Sequence, residues 1–381
     1  MTKHIDNERG LALLVSILAI IVVGGLLVGT VTAAILENRQ AHNTGEMAQA
    51  FAVTELGLAE TIANWYAGDW NSMGIMEELP ISGSAPQGAG SFSGNVRRLS
   101  QELFFVDVTG VSSRGGARQR LGTFVKLRPL NVEIEASLTT RGRTRLSGSG
   151  AISGMDEPPA GWGACTPVEN QTGLRVPNLE WVDDGDCASC IKGDPPIEED
   201  ESINDDTFLS FGDLDWASLT SLATKTGFAL SNPKVDPSFN GDGSCNTGDV
   251  ENWGDPLNPG STCGGYFPII YAPGDLVLNG GVGQGILLVE GDLSVQGKFE
   301  FYGIVIVRGK LKTQGGGANA IHFRGALMVA NVGPVDDDNK NDIGGNAKIQ
   351  YSSCAVQRAA TSAGRGAQLR SRGWLQLFST S

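Results

Sequence analysis

The pattern of hydrophobic and polar residues begins with an unusually long apolar segment. Gly10 to Leu36 is a run of 27 residues without a charged side chain. A helix of that length is about 40 Å long, more than the ~30 Å hydrocarbon core of a bilayer requires. A cleaved secretory signal has a shorter apolar region of about 7–15 residues. Hydropathy therefore favours a single-pass membrane anchor at residues 11–36.

Helical spacing continues beyond the apolar segment. Residues 35–68 contain no proline, and Met47, Phe51, Leu58, Ile62 and Trp65 fall on one side of a helix. We expect one nearly continuous helix within 11–70 that leaves the membrane and packs against a globular domain with its distal half. An anchor followed by an unrelated amphipathic helix is the alternative.

The next segment predicts a small β subdomain at residues 82–130. Residues 82–95 are rich in Gly, Ser and Pro and predict a loop. Residues 102–113 and 117–130 alternate between apolar and polar positions and are separated by a glycine-containing turn. This pattern predicts two antiparallel strands.

Residues 131–356 are expected to form a larger head. Four apolar runs begin at residues 269, 286, 304 and 326, with Gly before the last three, and the first three continue into an x-Gly-x-Leu segment. Such a repeat predicts one coil of a β-solenoid per unit, with Gly at the corners and stacked Leu and Ile inside. Residues 143–154 resemble an earlier rung and residues 348–356 a final one. A β-sandwich with coincidental spacing is the alternative.

An acidic segment interrupts this head. Of the 42 Asp and Glu residues, 21 lie between Asp156 and Asp255, together with only four Lys or Arg. We interpret residues 155–265 as an insertion into the solenoid, with residues 194–202 as a loop or disordered and a short helix beginning at Asp213 or Asp215. Residues 357–381 form a basic tail, either solvated or paired with the acidic insertion.

All six cysteines follow the apolar segment, which is expected in an oxidising compartment. Up to three disulfides, with 15 possible pairings, would stabilise an insertion whose own apolar content is low. A zinc site is the weaker alternative because a single Cys-x-x-Cys has no second half. The disulfide candidates are Cys165, Cys187, Cys190, Cys245, Cys263 and Cys354.

Two loops have the oxygen-ligand spacing of a calcium site. One is residues 335–345, and the other places oxygen-bearing residues at positions 1, 3, 5, 7 and 12. A cysteine occupies position 6 of the second loop, where the turn favours Gly. Solvated turns without a metal explain both loops equally well. We therefore expect no cofactor beyond a possible structural calcium. The ligands of the second loop would be Asn240, Asp242, Ser244, Asn246 and Glu251.

Catalytic chemistry has few candidates. His322 lies within a predicted strand, and Asp275 and Asp292 align on successive coils, where outward turn charges explain them. We therefore do not expect an enzyme. A net charge of −14 argues against nucleic acid as the partner.

The N-terminal residues resemble a known family. Arg9-Gly10 followed directly by the apolar helix is similar to the leader of type IV pilins and type II secretion pseudopilins. This resemblance implies that residues 1–10 form a leader peptide, that prepilin peptidase cuts after Gly10, and that Leu11 becomes the methylated N-terminus. Residues 45–65 further resemble PilX-type minor pilins, and the matching positions are Ala50, Phe51, Glu55, Gly57, Leu58 and Ala59.

One departure from the major pilins points to an accessory subunit. Their fifth mature position carries Glu, whereas this chain has Val15. An intramembrane carboxylate is costly and needs a partner, thought to be a neighbouring subunit's terminal amine. In lacking this glutamate, the chain resembles PilX-like subunits and the tip-located K-type pseudopilins.

These observations predict an α+β chain: a long N-terminal transmembrane and amphipathic helix, then a mainly β, solenoid-like head with a disulfide-stapled insertion. The resemblance implies a non-catalytic minor pilin or pseudopilin. Its partners would be other pilin subunits, the assembly machinery and prepilin peptidase, and it would reside in the inner membrane with its head in the periplasm or on the cell surface in a pilus. The alternative is a membrane-anchored adhesin or surface-binding protein outside any filament.

Overall fold

The chain folds into a long helix, a small antiparallel sheet and a large parallel sheet. A computed structural model describes residues 8–65, 70–163, 165–185, 187, 189–211, 214–315, 320–333, 335–336, 338–369 and 375–377. The α+β class, the long N-terminal apolar helix, the β-rich head and the presence of disulfides agree with expectation.

The first element is α1, Glu8–Ala63, which is 56 residues long. It has no break between its apolar and distal halves, so the prediction of one continuous helix is confirmed. Its distal half packs on the antiparallel sheet and buries Ala50, Val53 and Leu58, and Trp65, two residues after the helix, is buried in the same cluster.

The antiparallel sheet, called here the base sheet, lies against α1. Its strands run in the order β1-β2-β3-β4-β21, and β22 also pairs with β4. The predicted pairing of residues 102–113 with 117–130 is confirmed. The predicted loop at 82–95 is wrong, because its small residues allow two paired strands to pass close to α1. The strands are β1 (Glu78–Ser84), β2 (Gly90–Arg98), β3 (Leu103–Ser112), β4 (Arg118–Arg128), β21 (Arg365–Gln368) and β22 (Leu375–Gln376).

Fourteen further strands form one parallel sheet, called here the head sheet. They are β5 (Ala136–Thr140), β6 (Thr144–Leu146), β7 (Ala151–Ser153), β8 (Thr172–Val176), β9 (Val182–Asp183), β10 (Ile191–Lys192), β11 (Ile197–Glu199), β14 (Ile269–Ala272), β15 (Leu276–Val289), β16 (Leu293–Val307), β17 (Leu311–Gln314), β18 (Ile321–Val329), β19 (Asn341–Ile343) and β20 (Lys348–Tyr351). The remaining elements are the β12–β13 hairpin (Ser210–Phe211, Leu214–Asp215), α2 (Trp216–Ser221), α3 (Ser353–Ser362) and 3-10 turns at Trp70–Ser72, Pro86–Gly88, Leu179–Trp181 and Asp205–Phe208.

The register of the head sheet follows the sequence repeat. Ile269 lies opposite Ile286, which lies opposite Ile304. Leu293 likewise lies between Leu276 and Leu311. The predicted alignment of the repeats is therefore confirmed, because side chains of one type stack on neighbouring parallel strands.

The order of the repeats in space differs from their order in the chain. The early rung, β5 to β7, pairs with β18, β19 and β20, which come from the last repeats. On its other side it pairs with β8, β9 and β10. The first and last rungs of the sequence are therefore neighbours in the sheet.

Part of the acidic segment belongs to the head sheet. Strands β8 to β11 lie within residues 172–199, although the whole of 155–265 was expected to be an insertion. The segment expected to be a loop or disordered contains β11, and the carbonyl groups of Pro195 and Pro196 accept hydrogen bonds from Gly173 and Leu174. Proline lacks an N–H but can serve an edge strand through its carbonyl. The predicted short helix is α2, capped by Asp215; Asp213 lies outside the described residues.

The C-terminal segment is structured where a basic tail was expected. Its first part continues α3, which packs Ala355, Ala359 and Ala360 on the outer side of the head sheet. Then β21 crosses to the base sheet and pairs with β4. Small residues in α3 allow this close packing, so the segment joins the two sheets. Arg370 and Arg372 lie outside the described residues.

Three glycines form a column at one corner of the head sheet. Gly285, Gly303 and Gly325 lie opposite one another and have φ values of +114°, +139° and +138°. A Cβ added at Gly303 would overlap the carbonyl oxygen of Gly285. Both the backbone conformation and the space therefore require glycine here.

Replacing this corner glycine should destabilise the head. We expect Gly303→Ala to lower the free energy of unfolding by at least about 2 kcal/mol, because it adds backbone strain and a contact with the neighbouring coil. Gly260→Ala is the control, since Gly260 has open space around its Cβ position. Denaturant unfolding of both variants in mild detergent, followed by tryptophan fluorescence, tests this. Equal midpoints for the two variants would contradict it.

Candidate assembly helix and its contacts with the head

The proximal half of α1 is fully exposed. Residues from Leu13 onward include an 18-residue window with a mean hydropathy of 2.7, none of it buried, which is long and apolar enough to cross a membrane. Val15 lies in this half and is 58% exposed. Gly10 and Leu11, the predicted processing positions, lie in the first turn of α1; residues 1–7 of the predicted leader lie outside the described part of the chain.

The distal half approaches the base sheet through small residues. Gly57 faces β2 and β3, and a Cβ at this position would lie 2.7 Å from the ring of Phe92 and 2.8 Å from Cγ1 of Val108. Gly110 on β3 faces the backbone of α1 at Ala50 in the same way. The helix and the sheet are therefore close enough that neither glycine can be enlarged without moving one of them.

A buried hydroxyl group bonds the helix to the sheet at this contact. Thr54 is completely buried, and its Oγ1 accepts a hydrogen bond from the Gly110 N–H at 3.1 Å. The same hydroxyl lies within donating distance of the carbonyls of Gln119 (3.1 Å) and Ala50 (2.7 Å). A buried hydroxyl with these partners makes lateral sliding of α1 costly.

The expected helix residues separate into buried and exposed positions. Leu58 and Gly57 are buried and Phe51 is partly buried, whereas Glu55 is exposed. Met47 is 53% exposed, so the expected apolar stripe is wrong at its first position. Apolar spacing missed Thr54 and Thr61; the signal for them is the row of small residues Ala50, Thr54, Gly57 and Thr61 at helical intervals.

The C-terminal segment holds the end of α1. Trp65 is fully buried, packs edge-to-face on Phe104 at 5.1 Å, and donates from Nε1 to Asn71 at 2.7 Å. Asn71 in turn donates to the carbonyl of Gly364 at 2.8 Å. Gly366 on β21 lies directly on the Trp65 ring. The last residues of the helix are thus enclosed by segments about 300 residues apart in sequence.

A buried arginine organises the loop beside this contact. Arg98 is 2% exposed and donates to the backbone carbonyls of Asn71 (3.0 Å), Ser100 (3.1 Å) and Gln101 (3.0 Å). Burial lowers the pKa of Arg98 to about 10. The guanidinium therefore stays charged at neutral pH, with carbonyl dipoles replacing the water it has lost.

The six cysteines form three disulfides: Cys165–Cys354, Cys187–Cys190 and Cys245–Cys263. The first joins the acidic segment to the start of α3, across 189 residues. The two cysteines of the Cys-x-x-Cys segment, Cys187 and Cys190, pair with each other.

The calcium-like loop is organised by its own hydrogen bonds. Asp242 Oδ1 accepts from the amide (2.9 Å) and hydroxyl (2.6 Å) of Ser244. The Ser244 hydroxyl also accepts from Asn240 at 2.9 Å, while Asn246 donates to Ser238 at 3.2 Å. The amide of Glu251 donates to Asp249. Across the described residues, no three His, Cys, Asp or Glu side chains are grouped as metal ligands.

A lysine supplies a cation inside the same loop. Lys225 is 1% exposed, and its ammonium donates to the carbonyls of Thr247 and Asp249, the latter at 2.6 Å. The ammonium also lies 5.3 Å from the ring centre of Tyr266.

In the other candidate calcium loop, residues 335–345, Asp336 accepts hydrogen bonds from the amides of Asp338 and Asn339. Asp337 lies outside the described residues.

The candidates for catalysis have separate surroundings. Asp275 accepts from the Asp292 amide at 2.8 Å, and Asp292 accepts from the Lys310 amide at 3.0 Å, so each carboxylate bonds to the backbone of the next repeat. His322 lies in strand β18, as its sequence context predicts, on the outer side of the head sheet.

Comparison with solved structures finds a similarity of low score. No protein-family model matches the chain, and no curated protein matches it. The crystal structure of the competence-associated pilin ComZ from Thermus thermophilus is similar over 87% of this chain and 97% of that chain, with 12% sequence identity and a TM-score of 0.21. A similarity with a TM-score this low does not indicate a function. The proposed function therefore rests on this chain's own residues.

Enlarging Gly57 should separate the helix from the sheet. We expect Gly57→Leu to lower the free energy of unfolding by about 2–3 kcal/mol, because the added side chain overlaps Phe92 and Val108. Ala59→Leu, on the exposed side of α1, is the matched control and should change stability little. Thermal unfolding in detergent distinguishes them. A stable Gly57→Leu protein would mean that the close contact is absent.

Lys225, rather than calcium, should stabilise the 240–251 loop. We expect Lys225→Met to lower the free energy of unfolding by about 2–4 kcal/mol, since two buried carbonyls lose a charged donor. Adding EGTA to the unaltered protein should leave its melting temperature unchanged. A melting temperature that falls with EGTA and recovers with calcium would instead support calcium bound through Asn240, Asp242, Ser244, Asn246 and Glu251.

Proposed function

We propose that this chain is a minor pilin or pseudopilin of PilX type, with a structural role in filament assembly and no catalytic role. The observation that carries the proposal is the division of α1. One unbroken helix has an exposed apolar half and a distal half packed through Gly57 and Thr54 on an antiparallel sheet. An exposed apolar surface of that length requires lipid or other helices.

The assembly mechanism follows from this division. Residues 11–36 would lie in the inner membrane, with the head in the periplasm, and then pack among the helices of other pilin subunits. Because the distal half of α1 is packed on the base sheet, the head would keep a constant position relative to that helix. Val15 offers no carboxylate to a neighbouring terminal amine, which supports an accessory subunit rather than the bulk subunit.

We further infer that the head sheet is a short β-solenoid. The long strands β15 and β16 contain Gly281 and Gly297, both with positive φ, and the part of β16 before Gly297 pairs with β17 while the part after it pairs with β18. Inward side chains from successive coils form one continuous apolar core. Such a head would be rigid along its stacking axis.

The second candidate is a membrane-anchored surface-binding protein that never enters a filament. Its support is also Val15, since a helix with no intramembrane carboxylate needs no assembly partner. The two candidates differ in processing of the N-terminus and in their final location.

Processing at Gly10 tests the proposal directly. We expect the mature protein, isolated from a cell that has a type IV pilus system, to lack residues 1–10 and to begin with methylated Leu11. It should occur in the sheared filament fraction in small amounts relative to the main subunit. Intact-mass and N-terminal peptide analysis measure the first result, and immunoblotting the second.

Two variants supply the controls. Gly10→Val should retain residues 1–10 and stay in the membrane fraction, whereas Gly24→Ala, at an unhindered position of the same helix, should be processed normally. A retained Met1 in the unaltered protein, or cleavage near Thr32–Ala34, would refute the pilin assignment and favour the second candidate.

A further inference from the structure

The outer side of the head sheet carries a row of polar side chains across five neighbouring strands. Alternate residues of these strands, such as Phe299, Phe323 and Ile349, belong to the inner apolar core. The residues between them therefore face outward. The polar strip consists of two adjacent rows across β16, β18, β20, β7 and β10: Glu300, His322 and Lys348 lie opposite one another in the first, and Arg324, Gln350, Ser153 and Lys192 in the second.

The charge of the polar strip is opposite to that of the whole chain. The chain carries −14, yet the strip contains Arg324, Lys348 and Lys192 with Glu300 as its one carboxylate. Lys348 and Lys192 are exposed and Arg324 is partly exposed. Asp156, which lies at the border, already accepts hydrogen bonds from Ser353 and Val168. The strip should therefore attract an anionic ligand.

Glu300 is held in a defined position within the strip. Its carboxylate accepts from the Tyr302 hydroxyl at 3.0 Å and lies 3.7 Å from the ammonium of Lys298. Tyr302 is itself stacked on Trp162, with ring centres 5.6 Å apart. A carboxylate fixed in this way is a preorganised hydrogen-bond acceptor for a ligand hydroxyl.

His322 adds a neutral donor and acceptor next to Glu300. Burial lowers the pKa of His322 below its ordinary value, an effect that outweighs the attraction of Glu300. The imidazole is therefore uncharged at pH 7. Ser153 provides a further uncharged hydrogen-bonding group, whereas the amide nitrogen of Gln350 already donates to the carbonyls of Met155 and Tyr351.

The spacing of the strip suits an extended polymer. Neighbouring strands lie about 4.8 Å apart, so five strands present hydrogen-bonding groups along about 19 Å in one direction. A phosphate backbone only accepts hydrogen bonds, and Glu300 would repel it. A sugar acid has both kinds of group: its carboxylates accept from Arg324 and Lys348, and its hydroxyls donate to Glu300.

We propose that the polar strip binds an acidic polysaccharide, with Arg324, Lys348 and Lys192 contacting its carboxylates and Glu300 accepting from its hydroxyls. This interaction requires no filament, so it stands or falls independently of the proposed assembly role. It would give the head a ligand on a cell or matrix surface.

Binding of a defined uronate polymer tests the proposal. The full-length protein in a neutral detergent is titrated with polygalacturonate oligomers, with neutral dextran oligomers and with DNA of matched length, and affinity is measured by calorimetry. We expect binding of polygalacturonate but not of dextran. Arg324→Gln combined with Lys348→Gln should weaken it by about tenfold or more, because two charge-assisted hydrogen bonds are lost.

The matched control removes the same charge from other faces of the head. Lys234→Gln combined with Lys312→Gln alters two exposed lysines and should leave the affinity within about twofold of the original, since distant surface charges are screened. Thermal unfolding confirms that both double variants remain folded.

Glu300→Gln separates polysaccharide recognition from general attraction of anions. It removes the charged acceptor while keeping an oxygen for Tyr302, so it should weaken polygalacturonate binding several-fold. Attraction of any polyanion would instead become stronger. The proposal is overturned if polygalacturonate does not bind, if both double variants bind alike, or if DNA binds more tightly and Glu300→Gln strengthens the binding.

Discussion

The close contact between α1 and the base sheet is the constraint on which the rest of the molecule depends. Gly57 and Gly110 bring the two backbones together, and Thr54 bonds across the contact. Because the distal half of α1 is packed in this contact, the unburied apolar half of the same helix extends beyond the head. A looser contact would leave the apolar helix and the head as two bodies joined by a flexible segment.

The head is joined to this contact by the end of the chain. Alanines of α3 pack on the outer side of the head sheet, and β21 then completes the base sheet beside Trp65. Cys165–Cys354 anchors the start of α3 to the acidic segment. The segment from α3 to β21 therefore joins the two sheets, with a disulfide at its start and the buried ring of Trp65 beside its end.

Much of the fold was predictable because its signals are local or periodic. The absence of charge and proline in α1, the alternation in β3 and β4, and the register of Ile286 with Ile304 all follow from patterns within short windows. The candidate site was less predictable. Apolar spacing selected Met47, which is exposed, and passed over Thr54, since a close helix–sheet contact favours small residues that hydrophobicity does not detect.

The sequence alone determined the long helix, the repeated strands and the glycines that recur between them, because backbone conformation and hydrophobic periodicity are properties of neighbouring residues. Only the tertiary structure decided which distant segments meet: β7 beside β20, Cys165 with Cys354, the Lys225 ammonium inside a loop with calcium-like spacing, and the three strands that place Glu300, Arg324 and Lys348 on one face. Those contacts join residues up to about 200 positions apart, and their partners are selected by burial and register in three dimensions, which no local pattern specifies.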